Sequence, residues 1–151
     1  MADYYTHFSD IIGDLSHEEE DWCKSHLERL ESLEDNDECE QMTKMYLDVE
    51  CAPDFSWEII KGDDGKSGLW ICDSGGGGDI FHVEVFVKEF LRVWRPSSCW
   101  SMTWAMTCSK PRIGAFTGGA IFVTKDAVHF INADAWAQKK EDEWKAKIKS
   151  A

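Results

Sequence analysis

Cations are scarce where acids are dense. The first 60 residues hold three basic side chains, Lys24, Arg29 and Lys44, against 18 acidic ones, a formal charge of −15. The other 91 residues nearly balance, with 13 basic and 11 acidic. A surface that poor in Lys and Arg repels nucleic acid and anionic membrane, so direct binding to either is excluded for this region. Proline is also rare, at three residues, and there is a single short Gly tract, Gly75 to Gly78. No interdomain linker is therefore expected, and 1–151 reads as one domain. No apolar run approaches the ~20 residues of a membrane span. Met1 to Asp10 has neither a basic n-region nor an apolar h-region, which predicts no signal peptide and a cytoplasmic protein. The six cysteines (23, 39, 51, 72, 99 and 108) contain no C-x-x-C pair, so reduced thiols are expected, with no zinc site, metal or other cofactor. Neither a P-loop nor a dinucleotide fingerprint occurs, and no tandem repeat of fixed period.

What is present is a core. Apolar residues make up 43% of the chain and aromatics 13%, which rules out global disorder despite the charge. Tyr4 to Ile12 alternates as a strand, ending near Gly13. Ser16 and Glu19 form a capping box. Beyond it, Trp22, Cys23, Leu27, Leu30 and Leu33 share one helical arc, while Glu20, Asp21, Glu28, Glu31 and Asp35 share the opposite one. Phe55 to Ile60 and Gly68 to Cys72 read as a hairpin turning at Asp64-Gly65. Ile80 to Trp94 fits both strand alternation over 80–87 and helical spacing. Asp79 before it, Arg92 and Arg95 at its end, and Pro96 favour a helix. Cys99 to Cys108 has the clearest period of two in the chain. Ala120 to Thr124 and Ala127 to Asn132 form another hairpin, and Ala133 to Ile148 a last helix. The order β-α-β-β-α-β-β-β-α predicts an α+β two-layer sandwich: an antiparallel sheet of five to six strands with two to three helices packed on it.

Two stretches are site-like. The first is the acidic one, whose outward carboxylates are Glu20, Asp21, Glu28 and Glu31, extended by Asp35, Asp37 and Glu38. A charged helix face is usually only a solvated face, but ordinary surfaces mix both signs and this one does not. Carboxylates three or four residues apart on a helix sit ~5–6 Å from each other, close to the spacing of phosphates along one DNA strand. The second is the segment 107–119, where Cys108, Lys110, Arg112, Gly118 and Gly119 could hold a small anion such as a nucleotide. Cys108 could act as a nucleophile if His7, His82 or His129 approached it. The plain alternative is a hairpin connection with solvated cations. The Gly75–Gly78 tract reads as a flexible connector, because Asp73 and Asp79 flank it and oppose an anion.

The opening Met1-Ala-Asp-Tyr-Tyr and the run Trp104-Ala-Met-Thr-Cys-Ser-Lys-Pro-Arg-Ile-Gly-Ala-Phe-Thr-Gly-Gly119 resemble a set of small bacterial and mobile-element proteins. Those chains open M-A-[N/D]-Y-Y and carry a W-x-x-T-C-S-[K/R]-P-R-x-x-x-F-x-G-G core. The likeness covers about a fifth of the chain. Where such proteins often carry an acid after the motif glycine, this one has Ala115. The resemblance implies a phage or plasmid context, and by analogy a counter-defence role such as anti-CRISPR or antirestriction. It brings no catalytic residue with it.

The leading expectation is a non-enzymatic acidic protein that docks on a basic, nucleic-acid-binding surface of a protein partner and blocks it. The alternative is a binder or enzyme for a small anionic ligand at Lys110 and Arg112. A third reading is self-association through the Trp and Met strand at 100–106, exposed as a sheet edge.

Overall fold

The computed structural model describes residues 2–32 and 54–149. It contains strands β1 (Tyr4–Leu15), β2 (Ser56–Lys61), β3 (Ser67–Cys72), β4 (Cys99–Cys108), β5 (Thr117–Thr124) and β6 (Val128–Asn132). The helices are α1 (His17–Glu31), α2 (Ile80–Trp94) and α3 (Ala133–Lys149). The strands form one sheet in the order β2-β3-β1-β4-β5-β6, with every pairing antiparallel. This is the expected α+β architecture. Leu33, Asp35, Asp37 and Glu38 lie outside the described residues.

Alternation sorts each strand into two faces. Phe8 and Ile12 of β1, Leu69 and Ile71 of β3, Met102 of β4, and Ile121 and Val123 of β5 are buried on the helix side. Cys23, Leu27 and Leu30 of α1 meet them, as do Val83, Phe86, Val87, Phe90 and Leu91 of α2. Trp22 stacks beside Phe86 at 6.1 Å and Phe90 at 6.0 Å, which joins the two helices. α1 lies against β3 and β1, and α2 against β5. α3 follows β6 and runs near β5 and β6, yet every described residue of it is exposed.

β1 runs past Gly13 to Leu15, through a register shift in its pairing with β3 and a left-handed Asp14 (φ 52°). The capping box then forms in full: Ser16 Oγ accepts from the Glu19 N–H, and a Glu19 oxygen accepts from the Ser16 N–H. The stretch 80–94 is helical, with the Asp79 carboxylate accepting from the Phe81 N–H. β4 is interior, between β1 and β5, and Met102 is buried. Strand 100–106 is thus no sheet edge, and self-association through it is overturned.

The glycine tract is tied down rather than slack. Gly76 accepts from the Thr6 N–H, and Ser74 pairs with Gly77. Gly76 has φ 93°, and a Cβ there would stand 2.8 Å from the Tyr5 ring. Only glycine offers both the left-handed backbone and the clearance.

Candidate functional site

The structure divides the acids of α1 into two groups. Glu19 and Glu20 serve the fold. Glu19 is buried at the helix start, where the Arg95 guanidinium meets it through Nε at 2.7 Å and Nη2 at 2.8 Å. Arg95 therefore holds this carboxyl below the usual glutamate range, against the opposing pull of burial. Glu20 was expected on the outward arc, yet its side chain is only 13% exposed. It is paired with Lys24, and contact with that ammonium and the Ser67 hydroxyl lowers its pKa. The helix leans far enough on β3 to tuck Glu20 under its own edge, so it does not belong to the free acidic face.

Asp21, Glu28 and Glu31 are exposed, as is Glu18. Glu18 is held in its charged form by its own backbone N–H and the Ser16 hydroxyl at the helix N-terminus. Asp21 lies 3.5 Å from His17, one turn back. Glu31 accepts from the Trp57 indole N–H at 2.6 Å, which fastens the end of α1 to β2. Glu18, Asp21 and Glu28 thus stand on the solvent side of a helix whose other side is locked into the core. Their backbone is fixed, so the acidic face is presented in one orientation.

The 107–119 segment is built differently from a ligand cradle. Lys110 and Arg112 are exposed between β4 and β5. Gly118 and Gly119 lie inside β5, paired with Ala105 and Trp104. A Cβ on Gly119 would fall 2.0 Å from the Ile131 carbonyl and 2.8 Å from the Trp104 ring. The missing side chain lets Trp104 lie across the strand and stack on Phe130 at 5.8 Å. Both glycines are spent on packing within the sheet.

Cys108 is half-buried and paired with Tyr4, on the helix side of the sheet. The three histidines go elsewhere. His82 is buried in α2, and its Nδ1 accepts from the Asp54 N–H at 2.7 Å. His129 sits on β6 beside Phe122. His7 reaches the neighbouring hydroxyl, Thr107 Oγ1, at 3.1 Å on the opposite face. Its Nδ1 lies 3.6 Å from Asp73, whose carboxylate also accepts from the Phe8 and Gly76 N–H groups. Sequence reading missed this cluster, because its members are brought together only by the β3-β1-β4 register. At 3.6 Å the His7–Asp73 contact is longer than a hydrogen bond, and the cluster ties the glycine loop to the sheet.

Among the described residues no group of His, Cys, Asp or Glu is placed to hold a metal ion. No helix among them is long and apolar enough to cross a membrane. The chain matches no family model, no curated protein and no solved structure.

Proposed function

We propose that the outward face of α1 docks on a basic protein surface that otherwise holds nucleic acid, and competes for it. The observation that carries this reading is the fixed presentation of Glu18, Asp21 and Glu28 on a helix anchored by Arg95 and by its buried face. Like-signed carboxylates on a fixed backbone steer association with a cationic groove, and the helix that carries them needs no ordering on binding. The mobile-element resemblance makes a host defence complex a natural partner, as an anti-CRISPR or antirestriction protein would have. The reaction-free mode fits an acid face whose groups act as fixed charges.

The test is capture of host proteins on the immobilised chain at about 50 and about 300 mM salt, a range over which exposed charges become strongly screened. The expected partner is a basic nucleic-acid-binding protein that elutes with salt and is displaced by duplex DNA. Asp21→Lys with Glu28→Lys should abolish capture while the circular dichroism spectrum stays the same. Capture that survives the double reversal overturns the proposal. A thermal-shift series with nucleotides separates it from ligand binding at Lys110 and Arg112, which would stabilise the fold by ~2.7 kcal/mol at 100 times Kd.

A further inference from the structure

Every described residue of α3 is exposed, although the helix is amphipathic. Trp136, Trp144 and Ile148 stand 54%, 62% and 54% exposed. At ~100° per residue, Trp136, Ala137, Trp144 and Ile148 fall on one arc, and Lys140 and Lys147 lie inside it. Helices of this length are marginal alone in water and draw their stability from a packed apolar face. Among the described residues nothing buries Trp136, Trp144 or Ile148.

A matching surface lies on the helix side of the sheet, between the start of α2 and β6. It is a groove of about 510 Å³ walled by Ile80, Phe81, Trp104, Val128 and Phe130, with Asp79 and Glu84 among its lining residues. Phe130 is 57% and Phe81 41% exposed. Burial, and then the like charge of Asp79, raise the Glu84 pKa, with Lys88 opposing them, so an added cation would be welcome there.

We infer that α3 of one molecule docks in the Phe81–Trp104–Phe130 groove of a second copy of this chain, and the reverse, giving a two-fold dimer. The charges are complementary: Lys140 and Lys147 punctuate the apolar arc of the helix, Lys140 beside Glu143 of its own helix, and Asp79 and Glu84 stand among the apolar residues of the groove. The same lysines oppose pairing of α3 with α3, which would set like charges together. Within one molecule α3 does not fill this groove, since none of its residues is among those that line it. α3 begins at the residue after β6, and the Asn132 side chain fixes that turn by accepting from the N–H groups of Asp134 and Ala135. No loop separates the helix from the strand. A two-fold axis uses both grooves and both helices, so the contact closes and does not propagate.

Sedimentation of the full chain across about 1–200 µM tests this. The expected result is a concentration-dependent dimer. Trp136→Glu with Trp144→Glu should raise the dimer Kd roughly thirtyfold or more, the loss typical of buried interface tryptophans. Phe130→Glu should do the same, and Phe81→Glu serves as a second groove variant should Phe130→Glu unfold. Mixing the helix variant with a groove variant should restore a heterodimer, because one intact helix then meets one intact groove. A wild type that stays monomeric throughout overturns the inference. So does a dimer that survives the helix variant, or one lost with the helix variant but indifferent to both groove variants.

Discussion

The Glu19–Arg95 pair should be the most consequential polar contact in the described fold, and its worth can be bounded. Arg95 donates to both Glu19 oxygens and to the carbonyls of Gly13 and Asp14, both at 3.0 Å, with its guanidinium 5.3 Å above the Phe90 ring. It thereby joins the C-terminus of α2 to the β1–α1 junction. Removing one partner of a fully buried pair costs about 3–5 kcal/mol. The Arg95 side chain is 25% exposed, so Arg95→Met is expected to cost less, about 2–3 kcal/mol. At ~2–4 °C per kcal/mol for a chain of this size, Tm should fall by roughly 4–12 °C. Glu19→Gln keeps an N3 acceptor for the Ser16 N–H, so it removes the ion pair while sparing the capping box. Urea denaturation of wild type, both single variants and the double variant gives the coupling energy, expected at about 1–2 kcal/mol. The pH dependence has a definite sign. Arg95 depresses the Glu19 pKa, so the pair's stabilisation is complete above the ordinary glutamate value and lost as pH falls through the folded one. Wild type and Glu19→Gln should therefore converge in stability on acidification. A coupling below ~0.5 kcal/mol, the ordinary error of additivity, would refute the reasoning.

Gly119→Ala should cost about 3 kcal/mol and erase the near-ultraviolet signal of the Trp104–Phe130 stack, since its Cβ collides with strand backbone. Gly13→Ala meets nothing within 4 Å and should be neutral or slightly stabilising in the same melts. Burial pushes the Cys23 thiol up to about 12 from an ordinary 9.0. It should stay inert to a disulfide reagent at pH 8 while exposed Cys99 reacts. Its contribution to stability is intact below pH 9 and shrinks between 9 and 12 at up to ~1.4 kcal/mol per pH unit, a slope that Cys23→Ala should remove. Burial also lowers the His26 pKa from its ordinary 6.5. Stability should therefore fall as pH drops below 6.5, where the unfolded chain takes up that proton first, and His26→Gln should flatten the curve.

Element order was legible because each signal was local. Ser16 and Glu19 write their own helix start, and the period of Cys99 to Cys108 allows only a half-buried strand. The stretch 80–94 was ambiguous by periodicity, and its end signals, Asp79 and Pro96, decided it. Long-range contacts were not legible. Nothing near Glu19 in sequence announces Arg95, 76 residues on, so Glu19 read as a cap and Glu20 as a free outward acid. Gly118 and Gly119 read as loop because glycine is common in loops. Only the register of β4, β5 and β6 reveals that the Trp104 ring needs the missing side chain of Gly119, and that Gly118 lies against the Trp104 carbonyl. His7, Thr107 and Asp73 were invisible as a group for the same reason.

The two proposed surfaces bear on one another. α1 lies over β3 and β1, whereas the groove opens at the β6 margin, so a reciprocal α3 contact leaves the acidic faces uncovered. It would also place α3 lysines beside Asp79 and Glu84, so that the cations and the acidic helix are used at different places on the assembly. A dimer then carries two acidic helices, and for a partner with two basic sites the second contact becomes intramolecular. Such linkage raises apparent affinity by about 10²–10⁴ only where the spacing matches. The monomerising pair Trp136→Glu and Trp144→Glu therefore discriminates between partner geometries. Against a partner with paired sites it should weaken capture by at least tenfold while Asp21 and Glu28 remain intact. Against a single-site partner it should change capture less than twofold, although Asp21→Lys with Glu28→Lys still abolishes it. Loss of capture by the monomer from a proven single-site partner would mean that α3 or its groove contacts the partner directly, and the separation of the two surfaces would be wrong.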